Sequence, residues 1–330
     1  MRITDLKTDI VERSMADPKY QPVDATQVPR FSDVATFMRT RRVDPTAELD
    51  IGLVGVPFDI GLNYRSGPRE APGAVRHASR LIRMAHPSTG VEPYKLCNIA
   101  DVGDAPVNPM KLDASIQMIE DFFATRKALD IRPVTIGGDH TIPTPILRAL
   151  AKDGPVGLLQ IDSHADVLDE MCDTKVNHAT FMRRAHEERL IDPARTVQLG
   201  LRGSRFVPED IQYGYDAGFT ILTMDDYEEI GRADTIERIR ETIGDGPMYI
   251  TIDIDGLDPS YCPGTAVPEI GGIIPRDVQK ILQGLMGFDV IGADICEVAP
   301  CYDPTGITSV TAANLMFELT CLIAHGLKAR

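Results

Sequence analysis

Positive charge is scarce in this chain of 330 residues: 34 Lys and Arg stand against 49 Asp and Glu, a net charge of −15. Nucleic acid and anionic membranes both need clustered Lys and Arg, so neither is expected as a partner. A cationic ligand is compatible with the balance. No apolar run is read as approaching the ~20 residues of a transmembrane helix, so no membrane partner is expected. The opening stretch, "MRITDLKTDIVERSMADPKY", carries no apolar core of the kind that a secretory signal needs. The six cysteines, at 97, 172, 262, 296, 301 and 321, include no C-x-x-C pair and suggest no disulfide framework. A reducing cytoplasm is the simplest setting, where free cysteines act mostly as small buried hydrophobes. No internal repeat, low-complexity block or second composition regime divides the chain.

What is present is enough for a large core, since 43% of the residues are hydrophobic. Residues 1–48 are polar and weakly periodic, with turn formers at Pro22, Pro29 and Pro45. They read as an N-terminal arm with a short helix around "FSDVATFMR". From Leu49 the pattern changes to apolar runs rich in Val and Ile: "IGLVGVP", "RPVTIGG", "VGLLQID", "TVQLGLR", "FTILT", "MYITIDID" and "DVIGADIC". Runs that are hydrophobic nearly throughout predict strands buried on both faces. Helix-like segments lie between them, such as "APGAVRHASRLIRM", "KLDASIQMIEDFFATRKAL", "TPILRALAKD", "ADTIERIRETIG", "RDVQKILQGLM" and "VTAANLMFELTCLIAHG". The alternation predicts an α/β fold, with a mostly parallel sheet between two helical layers, in one domain over residues 49–330.

Three of the runs end in residues that bind metals. "RPVTIGGDHT" ends in Asp139 and His140, "VGLLQIDSHAD" in Asp162, His164 and Asp166, and "MYITIDIDGLDP" in Asp253, Asp255 and Asp258. Ligands of open parallel sheets bind outside the carboxyl ends of the strands. Alternate strand residues share a face, so Asp162 with His164, and Asp253 with Asp255, can point into one site. Alone, each ending is ordinary: a tight turn, a helix cap or a solvated loop. On consecutive strands they would set several carboxylates side by side, and such charges cannot all stay ionised without a counter-charge. Asp162, Asp166, Asp253 and Asp255 carry −4, which two divalent cations balance. An oxygen-rich set with a few imidazoles suits Mn²⁺, whereas thiolates suit Zn²⁺, and no cysteine is expected among the ligands.

"GGDHT", "DSHAD", "DIDGLDPSYCPGTAVPEIGG" and "EVAPCYDPTGITSVTAANL", in this order and spacing, closely resemble the ureohydrolase family of arginases, agmatinases and related amidinohydrolases. The resemblance runs from about Pro29 onward and is nearest to the agmatinase and guanidinobutyrase branch. It implies a three-layer α/β/α fold, a binuclear Mn²⁺ centre with Ni²⁺ as the alternative, and a homo-trimer or hexamer, in some members with a related second subunit. Carried across, His140, Asp162, Asp166 and Asp253 would hold one ion, and Asp162, His164, Asp253 and Asp255 the other. Paired ions acidify a shared water, which would attack the guanidinium carbon of a cationic guanidino compound. Asp166 would orient that water. His178 matches the family's proton-shuttling histidine and Glu297 the carboxylate that grips the guanidinium. Their plain alternatives are a loop histidine and a strand-end ion pair. Asp139 and Asp258 are expected to brace loops.

The chain departs from the family pattern at Ser163, Ala179, Cys262, Ala266 and Val267. Thr265, Ala266 and Val267 are expected to face the guanidinium, where the loss of a hydroxyl and the added methyls favour an alkylated nitrogen. Asp169, with Glu170 and Asp173, is a candidate reader of a cationic tail or else a solvated loop. Agmatine and guanidinobutyrate are the expected substrates. An N-alkylated guanidine or a biguanide such as metformin is the alternative, and a non-catalytic ureohydrolase-like subunit is the reading from a different class.

Overall fold

The computed structural model describes residues 16–207 and 209–329. The opening stretch through residue 15, on which the reading of no secretory signal mostly rests, lies outside them. Eight strands form one sheet: β1 (Ile51–Gly55), β2 (Ile99–Asp104), β3 (Arg132–Ile136), β4 (Val156–Ile161), β5 (Ile191–Leu201), β6 (Thr220–Thr223), β7 (Pro247–Asp253) and β8 (Asp289–Cys296). Their order is β2-β1-β3-β8-β7-β4-β5-β6, and every neighbouring pair is parallel. All seven apolar runs are strands. The eighth, β2, was not anticipated because "NIADVGD" breaks its apolar pattern with aspartates. One of them, Asp101, is fully buried and receives the Arg76 guanidinium at 2.8 Å.

The pleat sends alternate residues to opposite layers. Leu53, Ile161, Ile250 and Ile252 pack with α1 (Ala71–Ala78), α7 (Met224–Ile243), α8 (Pro275–Gly284) and α9 (Ile307–Lys328). Val54, Leu158 and Tyr249 pack with α3 (Leu112–Ala128), α4 (Pro143–Leu150) and α5 (Phe181–Glu187). Two single-turn or short helices, α2 (Pro93–Leu96) and α6 (Gln212–Ala217), complete the set among the described residues. Helix α9 corrects one expectation: it has 22 residues, and an 18-residue window within it reaches a mean hydropathy of 1.5, long and apolar enough to cross a membrane. Of that window 83% is buried inside the protein, as in a core helix.

The described part of the arm, residues 16–48, packs against the domain. Phe37 and Met38 belong to the core, and Arg42 bridges to Asp101 beside β2. The expected helix at "FSDVATFMR" shrinks to one 3₁₀ turn, Phe37–Arg39, with Met38 at φ 53°. Its backbone donors go elsewhere: Phe37 N–H to the Asp101 carboxylate at 3.1 Å and Met38 N–H to the Ser79 hydroxyl at 2.8 Å. Long-range partners here outcompete the helical ones.

Candidate active site

Strands β3, β8, β7 and β4 are neighbours at the middle of the sheet, and their carboxyl ends open on one side. The three ligand-bearing strands are therefore not consecutive: β8 stands between β3 and β7, and its exit adds Glu297. After β3 the chain turns tightly at Gly138, where a Cβ would meet Phe58 O at 1.5 Å. The Asp139 carboxylate braces this turn by accepting Gly61 N–H (2.8 Å) and Thr141 N–H (2.9 Å). After β7 a 3₁₀ turn, Ile254–Gly256, brings Asp255 back beside Asp253, whose Oδ1 accepts Asp255 N–H at 2.9 Å. Asp258 ties down the loop beyond by accepting from Ser260 and Gly271 (2.8 and 2.7 Å). Partial burial opposes its ionisation, yet these hydrogen bonds hold its pKa down to about 2. Both aspartates brace loops, as expected.

The six ligand candidates converge. His140 Nδ1 lies 3.0 Å from Asp162 Oδ2, 2.9 Å from Asp166 Oδ2 and 3.3 Å from Asp253 Oδ2. His164 Nδ1 lies 3.2 Å from Asp255 Oδ2 and 3.7 Å from Asp162 Oδ1. Asp162 thus turns one oxygen to each imidazole. His140, Asp162 and Asp166 form one compact donor group, and Asp162, His164 and Asp255 another. Buried His140 Nδ1 has no hydrogen-bond partner among the described residues although three carboxylates surround it. That orphaned nitrogen, in an oxygen-rich shell without thiolate, fits a pair of hard divalent cations.

The outer atoms of the ligands are held in turn. His140 Nε2–H donates to Thr251 Oγ1 (2.8 Å), and the Thr251 hydroxyl donates to Asp294 Oδ1 (2.7 Å). This fixes the tautomer that leaves Nδ1 free. Gln160 Nε2 donates to Asp162 Oδ2 at 2.7 Å. Cys296 comes closer than expected, grouped with His140 and Asp294. Its thiol donates to Asp294 (3.2 Å), and burial with the Asp294 charge raises its pKa far above the ordinary value.

The charge balance is that of a site made for cations. Burial and the Asp162 charge push Asp166 up to about 7. Burial and neighbouring carboxylates also raise Asp253 and Glu297 well above the carboxylate range. Burial disfavours charge on His140 and His164, yet the surrounding aspartates raise both imidazoles.

Glu297 is buried at φ 60°, accepts His140 N–H on Oε1 (2.8 Å), and keeps Oε2 without a partner among the described residues. It makes no ion pair of the plain alternative kind. His178 stands half-buried on the wall of a cavity of about 310 Å³, with Nε2 3.2 Å from Asn63 Oδ1. Burial and the nearby imidazoles His164 and His140 lower its pKa to about 4, so the unperturbed value does not apply. Ser163, His164, Asp166, Ala179, Arg202, Arg205 and Val267 share that wall.

Three substrate-contact expectations change. Asp169 is exposed and pairs with Arg184 (2.8 Å) and Arg183 (3.6 Å), outside the cavity wall. Ala266 is buried behind the wall, and its carbonyl accepts Arg65 Nε–H at 2.8 Å. Thr265 is buried beside it, with its carbonyl on Arg65 Nη2 (2.8 Å) and its hydroxyl unpartnered. Of that loop, Val267 reaches the cavity. The sequence reading overlooked Arg202, Arg205, Asn63 and Tyr64 on the wall, since "GLNYRSGPRE" carries no chemical signal by itself.

The arginase-family model matches residues 49–322. The chain is 42% identical to a guanidinopropionase of Pseudomonas aeruginosa over 94% of its length and 98% of the relative's. It is 42% identical to a guanidinobutyrase of the same organism, over 92% and 97%. The proclavaminate amidino hydrolase of Streptomyces clavuligerus superposes with a TM-score of 0.88 at 33% identity, over 91% of this chain and all of that one. Members of the family carry a binuclear divalent-metal centre. Sheet order, donor cluster and these likenesses agree that the chain belongs to the arginase family and is a hydrolase of linear amidine C–N bonds.

Proposed function

We propose that the protein hydrolyses a short guanidino acid, of the guanidinopropionate or guanidinobutyrate type, to urea and an amino acid with a binuclear Mn²⁺ centre. The carrying observation is the wall of the cavity: Arg205 lines it together with His164 and Asp166 of the donor cluster, and a carboxylate tail suits it better than an ammonium tail. The names of the two Pseudomonas relatives support an acidic tail.

His140, Asp162, Asp166 and Asp253 would hold one ion, and Asp162, His164, Asp253 and Asp255 the other. When bound, the two ions lower the pKa of a water toward neutrality for attack on the guanidinium carbon. Asp166 accepts a hydrogen bond from that water and fixes its direction. Glu297 Oε2, the carboxylate oxygen left unpartnered, accepts an N–H of the guanidinium. His178, neutral at pH 7, takes a proton and delivers it to the departing amine nitrogen. Leu168, Met171 and Val267 give the wall around it an apolar part.

A urea-release screen tests the substrate. The two guanidino acids should show the highest kcat/KM, and Arg205→Ala should raise KM for them about tenfold or more while sparing agmatine. Preference for agmatine in the parent enzyme would sink the acidic-tail reading. A second reading rests on Val267 and Ala179, whose methyls line the cavity beside His178. It is a pocket for an N-alkylated guanidine or biguanide such as metformin. Val267→Thr should then shift preference toward unalkylated substrates by about 10–200-fold. An unchanged ratio removes that reading. Exposed apolar side chains such as Phe206 and Ile270 support a homo-oligomer, a trimer or hexamer, which native mass measurement checks.

A further inference from the structure

We propose that Ser163 is a positioning residue for the His164–Asp255 half of the metal centre, with Arg202 as its backing. The inference rests on the reading that these two residues hold an ion. The Ser163 hydroxyl donates to Asp255 Oδ1 at 2.6 Å, and its backbone N–H donates to the same oxygen at 3.2 Å. Oδ1 is thereby occupied, and Oδ2 is the oxygen that stands 3.2 Å from His164 Nδ1. The hydroxyl oxygen itself lies 3.0 Å from that nitrogen. A hydroxyl has one proton, and here the carboxylate takes it at the shorter distance. Its lone pairs therefore face His164 Nδ1, an arrangement that favours a positive centre there.

The clamp has a rigid back. Ser163 O accepts Arg202 N–H at 3.0 Å. The Arg202 guanidinium donates to Asp255 O and Glu269 O at 2.7 Å each, and to Gly200 O and Gly256 O at 3.1 Å each. It joins the exits of β5 and β7 through carbonyls. Gly272 leaves it room: a Cβ there would lie 2.4 Å from Nη2. Asp255 is thus held by its carbonyl through Arg202 and by its carboxylate through Ser163. Ser163 is almost fully buried, and among the described residues its hydroxyl contacts only the two ligands.

The test is titration of metal-free full-length protein with Mn²⁺, read as bound metal per chain and as the EPR signature of a coupled pair. Ser163→Ala should weaken one of the two ions by about 10–100-fold and leave the other unchanged, with kcat recovering at high Mn²⁺. Ser163→Thr, which keeps the hydroxyl, should retain most of the affinity. Arg202→Lys should weaken the same ion, and if that variant does not fold, Ser163→Ala alone decides. Two ions bound by Ser163→Ala within twofold of the parent affinities overturn the proposal. Asp255→Asn separates the two levels: if it still binds both ions as tightly as the parent, the metal-site reading has failed, not only the role of Ser163.

Discussion

Asp162 turns one oxygen toward each imidazole at 3.0 and 3.7 Å, so its removal should be felt on both sides of the centre. Asp162→Asn should release both ions, whereas His140→Asn should weaken mainly one, as elemental analysis after gel filtration reads out. His178 touches neither imidazole and lines the cavity, so His178→Ala should lower kcat by about 10²–10⁴-fold with metal content intact. Loss of metal with the per-metal rate kept would move His178 out of the proton path. The ligands were legible because period-two spacing and strand ends announce them within a few residues. Of the two readings of Asp169, its exposure favours the loop, and its partners Arg183 and Arg184 sit on α5, a pairing that nothing local signals. Ser163 stood out as a departure, but its role needs Asp255, 92 positions away.

At the level of elements, seven strands were legible since burial on both faces leaves a continuous apolar run. Strand β2 and the arm were not, because there buried polar side chains replace apolar ones, as Asp101 does for Arg76 and Phe37 N–H. The turn after β3 is the tightest fit between an element and the site. Gly138→Ala should push the Phe58 and Asp139 backbones apart, at a cost of about 1–3 kcal/mol. A lower Tm together with weaker binding of the His140-side ion is the expected outcome. A variant with parent Tm and metal content would show that the turn yields freely.

For the molecule as a whole, the ions are a stabilising ligand whose benefit depends on pH. Without them Asp166 titrates near 7 instead of the ordinary carboxylate value of 3.8, and Asp253 and Glu297 are raised as well. A carboxyl raised in the folded state holds its proton longer there than when unfolded. The metal-free protein is therefore unpenalised below the unfolded value and loses stability as pH rises through about 4 to 7. Metal binding, which displaces those protons, strengthens over the same window. The gap in Tm between loaded and chelated protein should widen from pH 5 to pH 7.5 in calorimetry. A constant gap would mean that the carboxyl cluster is not what the ions relieve.

The strand order also sets a timetable for biosynthesis. β3 and β4 are adjacent along the chain, yet in the sheet they are separated by β8 and β7, the last two strands to leave the ribosome. Until residue 296 is made, the nascent chain can assemble only two part-sheets, β2-β1-β3 and, once β7 is out, β7-β4-β5-β6, each with a bare inner edge. Unpaired parallel edges of this kind recruit other chains. A chain stopped before Asp289 should accumulate in aggregates and bind no metal, and β8 acts as the keystone whose arrival closes the arch and the catalytic centre in one event.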